Sequence, residues 1–135
     1  MRLSNMADYA VVIMSAASRH CGGLRTSATA LAGETGIALP TVQKLVSTLS
    51  KAGLLRSVRG AGGGIQLGRP AAAITLADII EAVEGPIAIA ACVNNSACTC
   101  SIHHDCSIKP HWAIVNNAVR GALADVSLSS LAVGR

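Results

Sequence analysis

The chain has 135 residues, 51% of them apolar, with no Phe, one Trp and one Tyr. That length supports one modest core of Ala, Val, Ile and Leu in closely packed helices, and so few rings argue against an aromatic groove on which single-stranded bases stack. The net charge of +4 is unevenly placed: residues 1–70 hold eight Lys and Arg against two acids, and residues 71–135 hold three against five.

A basic N-terminal half is what phosphate contact requires, because cationic side chains displace the counterions condensed on a duplex; a merely solvated basic face is the plainer reading. Asp8 falls where the apolar stretch of a signal peptide would begin, and the apolar runs Ala10–Met14 and Ile87–Val93 are too short to span a bilayer. A soluble cytoplasmic protein with no membrane contact is expected. Five Cys is an odd number, and four lie between Cys92 and Cys106. In a reducing compartment that density points to metal binding or redox sensing rather than to a disulfide scaffold.

In chain order, Asn5–Arg19 reads as an Ala-rich amphipathic helix. Ser27 is suited to cap a short second helix, 28–34, which Gly36 stops. A third helix opens at Pro40, where Val42, Leu45, Val46 and Leu49 recur at i, i+3, i+4 and i+7 as one buried stripe. Its other face carries Thr41, Gln43, Lys44, Ser47, Thr48 and Lys51, polar and free of acids. Two short helices joined by a tight turn form a helix-turn-helix pattern. Strands at 54–58 and 65–67 then flank the Gly-rich tip 60–64, with Arg56 and Arg59 alongside: a basic hairpin shaped to lie on a DNA backbone. The glycines match no nucleotide-binding motif.

Thr75 with Asp78 three positions on resembles a capping box for a helix over 76–84, ended by Gly85-Pro86. A Cys-rich loop occupies 91–108. A long helix follows from about Pro110 to Asp125, with Val115, Ala118, Val119, Ala122 and Val126 along one side. Small residues there permit close approach of another helix, so this is read as a dimer helix; burial within its own monomer is the alternative. Ser127 is positioned to cap a last short turn.

The expected fold is mostly α with a small β wing: a winged helix-turn-helix plus a long C-terminal dimerisation helix. The expected units are a DNA-binding domain over 1–70, a connecting helix over 71–90, the cysteine loop over 91–108, and the dimerisation helix and tail over 109–135.

The assembled motifs resemble the Rrf-type family of bacterial winged-helix regulators over nearly the whole chain. The resemblance rests on Met1-Arg2-Leu3-Ser4, Asp8-Tyr9-Ala10, Val58-Arg59-Gly60 with Gly63-Gly64, Leu67 and Arg69-Pro70-Ala71. It continues through Ile74-Thr75-Leu76, Glu81 to Pro86, and Cys100-Ser101-Ile102 to Trp112. The stretch Glu84-Gly85-Pro86-Ile87 and the wing are most similar to the branch that controls Suf-type iron–sulfur cluster assembly operons. The resemblance implies a homodimer on double-stranded DNA, its two recognition helices in adjacent major grooves with half-sites roughly 34 Å apart. Thr41, Gln43 and Lys44 are then candidates for base-edge contact, Arg59 for the minor groove, and Arg56 and Lys51 for phosphate.

The cysteines are spaced Cys92-x5-Cys98-x-Cys100-x5-Cys106. Thiolates are the usual ligands of iron–sulfur clusters, and the family pattern of three cysteines maps onto Cys92, Cys100 and Cys106, with Cys98 spare. Where one branch of the family has a histidine as fourth ligand, this chain has Lys109; another branch uses an acid at the position of Asp8, supplied by the other subunit. Asp8 is therefore the candidate fourth metal ligand, against the plainer reading of an acid set favourably on a helix dipole. A 2Fe-2S or 4Fe-4S cluster is the implied cofactor, and the implied function is a repressor sensing cluster, iron or redox status. Structural zinc or a reversible disulfide on the same fold remain alternatives. An iron–sulfur electron carrier also remains, although it has no use for a winged helix. Cys21 reads as a packed thiol. No nucleophile has a base and an orienter, so no enzyme is expected.

Overall fold

The computed structural model describes residues 3–20, 25–59, 63–88 and 109–133. The chain forms α1 (Asn5–Ser18), α2 (Ala28–Thr35) and α3 (Leu39–Lys51), then β1 (Leu55–Val58) and β2 (Gly64–Leu67). After a 3-10 turn at Ala71–Ala73 come α4 (Leu76–Glu84), α5 (Lys109–Ala124) and α6 (Leu128–Val133).

The helix starts are set by side chains that satisfy otherwise orphaned backbone donors. Ser4 Oγ accepts from Ala7 N at 3.1 Å and Ser27 Oγ from Ala30 N at 3.0 Å. Thr75 and Asp78 complete the reciprocal capping box: Asp78 N donates to Thr75 Oγ1 at 3.1 Å, and Thr75 N to Asp78 Oδ2 at 3.0 Å. Gly36 ends α2 in the left-handed conformation, φ 76°, as its position after the helix demanded. Helix α3 opens one residue before Pro40, with Ala38 outside it offering no side-chain cap.

Helix α1 lies at the centre, packed against α2, α3, α4 and α6. Its inward positions include Ala7, Ala10, Ala16 and Ala17, whose small side chains allow neighbouring backbones to come close and explain a core without large rings. Ile13, Leu31, Leu45, Leu49, Leu54, Ile79 and Leu128 fill the space between, all essentially without solvent contact. Each such side chain contributes about 1.5–3 kcal/mol of burial. The stripe expected on α3 is the buried one: Val42, Leu45, Val46 and Leu49.

Strands β1 and β2 pair antiparallel, with Leu55 opposite Leu67 and Val58 opposite Gly64. A third segment, not foreseen from the sequence, joins them: Thr26 bridges Ile65. The residue just before the α2 cap is thereby bonded to the wing.

Helix α6 returns to the N-terminal core. Leu128 is fully buried there, its N–H donates to Ile74 O at 2.8 Å, and Leu76 N donates to Val126 O at 3.0 Å. Ser127 Oγ accepts from Ser130 N at 3.3 Å, the cap expected of it. Among the described residues no helix is long and apolar enough to cross a membrane.

Candidate nucleic-acid interface

With its buried stripe turned to the core, α3 presents Gln43, Lys44, Ser47 and Lys51 outward, all exposed. Thr41 and Thr48 are half-buried, and the Thr48 hydroxyl donates back to Lys44 O at 3.1 Å, so it is engaged along its own helix. The three candidates for base contact therefore divide: Gln43 and Lys44 stand clear of the core, and Thr41 lies at its margin.

The wing adds cations beside this face. Arg56 is exposed on β1 opposite Gln66. With the Gln66 amide oxygen turned toward it, the guanidinium Nε donates at 3.1 Å. A neutral amide orients the guanidinium without cancelling its charge, which is the state that phosphate contact needs. Arg59 is exposed just after β1, and the tip residues 60–62 lie outside the described residues. The Thr26–Ile65 bridge brings a further cation, Arg25, whose Cβ lies beside Gly64 at the base of the wing. Sequence reasoning missed Arg25 because one bridging residue makes no strand pattern. Arg69, just past the wing, is turned instead to Asp78 at 3.5 Å.

The expected metal ligands are not brought together on the described residues. Cys92, Cys98, Cys100 and Cys106 all lie outside them, as do Cys21 and the whole expected cysteine loop, 91–108. Among the described residues no three His, Cys, Asp or Glu side chains gather as a metal cage. Asp8 is described: it sits exposed in the first turn of α1, and its carboxylate has no hydrogen-bond or ion-pair partner among those residues. Four thiols within fifteen positions are a soft donor set of the kind that suits an iron–sulfur cluster or zinc.

The segment with the cysteines is entered from α4 and left into α5, and here the structure is tightly bonded. Glu81 on α4 accepts from Arg120 on α5, Nη2 at 2.7 Å to Oε1 and Nε at 3.3 Å to Oε2. Ile87 N donates to Glu81 Oε2 at 3.0 Å, and Asn116 Nδ2 donates to Ile87 O at 3.0 Å. The Arg120 hydrogen bonds hold the Glu81 carboxyl below the usual carboxylate range, and the same pairing raises Arg120. The rest of α5 is barely covered: Ile114 is 66% exposed, Val115 43% and Trp112 37%, and Ala118 and Ala122 are exposed as well.

A three-helix core, a recognition helix with a polar outer face and an adjoining basic hairpin define a winged-helix DNA-binding protein. The chain belongs to the Rrf2 family of iron-dependent transcriptional regulators, whose model matches residues 3–134. It is 31% identical over 131 residues to the HTH-type transcriptional regulator IscR of Photorhabdus laumondii, spanning 97% of this chain and 79% of that one. Among solved structures it is similar to CymR, the global cysteine regulator of Bacillus subtilis, with a TM-score of 0.80 and 30% identity. That match covers 100% of this chain and 98% of the other. IscR of T. potens matches with a TM-score of 0.76 and 30% identity over 97% of this chain and 85% of that one. The protein is thus a transcriptional regulator, in a family of regulators rather than enzymes.

Proposed function

We propose that this regulator acts as a homodimer on double-stranded DNA, and that an iron–sulfur cluster on Cys92, Cys100 and Cys106 controls its affinity. Asp8 of the partner subunit completes the ligand set. The regulator represses Suf-type cluster assembly genes. The observation that carries this reading is the uncovered apolar side of α5, set against a basic winged helix and directly following the cysteine segment. A chain with Ile114, Val115 and Trp112 in water gains by placing them against a second copy.

When bound, the cluster supplies iron–thiolate bonds whose making and breaking respond to iron and oxidants. The chain's own part is to convert that into geometry. Cys92, Cys100 and Cys106 would hold the cluster and Asp8 of the partner subunit would complete the set, which would link one subunit's cysteine segment to the other's α1. Affinity then changes by the difference in fit of the two recognition helices.

Absorption and EPR spectra of anaerobically purified protein test the cofactor. Cys92→Ser, Cys100→Ser and Cys106→Ser each lose the visible bands, and Cys98→Ser keeps them. Colourless, iron-free protein after reconstitution would falsify the cluster reading and leave the DNA-binding one standing. Footprinting of holo and apo protein on the promoter of a Suf-type operon tests the target.

Similarity to a cysteine regulator as well as to IscR favours a second reading, a thiol-based regulator of the same fold. Mass spectrometry showing a disulfide within 92–106, with neither iron nor zinc bound, decides for it.

A further inference from the structure

We propose that the Glu81–Arg120–Asn116 clamp around Ile87 sets the angle between the recognition helix and the dimer helix, and so the half-site spacing this regulator accepts. The inference rests on the dimeric DNA-binding reading above and adds to it the residues that fix its geometry.

Helix α5 packs chiefly on α4, while α4 packs on both α1 and α3. Whatever orients α5 on α4 therefore orients the uncovered face of α5 relative to the outer face of α3. Apolar contact alone does this loosely. Val119 and Leu123 are half-buried in a groove against α4 that Val115 and Trp112 also line, and burial is non-directional, so a small roll of the helix costs little. The polar bonds are directional. Two guanidinium nitrogens of Arg120 reach the two carboxylate oxygens of Glu81, at 2.7 and 3.3 Å, a forked geometry that fixes both rotation and translation.

Asn116 adds a second fixed point. It is 4% exposed, a buried polar residue on a helix whose neighbours Val115 and Asn117 face solvent. Its amide spans 3.0 Å to Ile87 O, while Ile87 N is held by Glu81 at 3.0 Å. Both backbone polar groups of one residue are thus held by side chains from two helices. Ile87 is the pin of the joint: α4 grips its N–H and α5 its carbonyl. The joint sits five residues ahead of Cys92 in the sequence.

A dimer with a loose joint still binds one half-site but no longer holds the second helix at a defined distance. The test uses full-length protein and a duplex selected by the wild type from a random pool, with a single half-site and a one-base-pair insertion as companions. Arg120→Gln and Glu81→Ala are expected to bind the selected duplex at least tenfold more weakly, to lose most of the insertion penalty, and to bind the single half-site as the wild type does. Hydrogen exchange at the Ile87 amide is expected to quicken in Glu81→Ala. Wild-type affinity and an intact insertion penalty in both variants, with that amide opened, would overturn the clamp's role. So would an equal loss on the single half-site, which marks a general defect of folding. A wild type that selects no paired half-sites sinks the dimeric reading itself, and the clamp's role with it.

Discussion

Thr26 and Ile65 exchange backbone hydrogen bonds, Thr26 N to Ile65 O at 3.0 Å and Ile65 N to Thr26 O at 2.7 Å. The segment leading into α2 is thus bonded to the wing through a pair of backbone hydrogen bonds. This contact is close enough to dictate Gly64. A Cβ there would lie 2.6 Å from Thr26 O, and φ is +153°. Gly64→Ala is expected to cost about 1–3 kcal/mol, the range for a residue forced into a sparsely populated conformation, and to weaken DNA binding through the displaced wing. Urea denaturation and a gel-shift titration check both. Unchanged values would mean that the bridge yields without cost.

The outer face of α3 predicts a division of labour between Gln43 and Lys51, both exposed on one side of the helix. Gln43→Ala is expected to relax base preference at one operator position by about 1–3 kcal/mol. Lys51→Ala should weaken binding evenly across sequences and lower the salt slope by roughly one counterion. Affinities for a panel of single-base operator variants at several salt concentrations separate the two. Equal behaviour of the two variants contradicts this orientation of the helix.

Ile114, at 66% exposure, is the most exposed large apolar side chain among the described residues. Ile114→Lys is expected to shift the protein toward monomer in sedimentation equilibrium and to reduce operator affinity by more than tenfold, with the melting curve of the monomer unchanged. A variant that stays dimeric places the interface elsewhere.

The Glu81–Arg120 pair makes a pH prediction. The Glu81 carboxyl is held low chiefly by the Arg120 hydrogen bonds, with the Ile87 N–H adding to this and partial burial opposing it. A group depressed on folding contributes stability above its unfolded pKa and loses it as pH falls through the folded one. The stability difference between wild type and Arg120→Gln should therefore be constant near neutrality and shrink below about pH 4.3, the usual glutamate range. Urea midpoints of both proteins across that range measure it. A difference that grows on acidification reverses the sign.

Much of this was legible in the amino-acid order because it is local. Val42, Leu45, Val46 and Leu49 repeat with the helical period, Thr75 and Asp78 stand three apart, and the glycines of the wing lie between two short apolar runs. Helix, cap and hairpin each depend on residues within a few positions of one another, so spacing suffices to find them. The exposure of Gln43 and Lys44 followed in the same way, since the face opposite a buried stripe is known once the stripe is, while Thr41 is half-buried.

The long-range relationships were not legible. The apolar side read on α5 ran through Val115, Ala118, Val119, Ala122 and Val126; of these Val115 and Val119 line the groove against α4 with Leu123, Ala118 and Ala122 are exposed, and Arg120 supplies the bond to α4. Periodicity reports that a helix has an apolar side, and it does not report which neighbour covers it. Asn116, which no sequence pattern singled out, is a buried donor whose acceptor, Ile87 O, lies 29 positions back. Thr26 paired with Ile65 and Leu128 filled the core beside α1 for the same reason. Local spacing was enough to place the elements and their outward chemistry, a basic winged helix followed by a cysteine-rich segment. How these are joined came from the fold, because a hydrogen bond or a packed side chain between distant residues depends on where the chain returns, and no spacing along the chain records that.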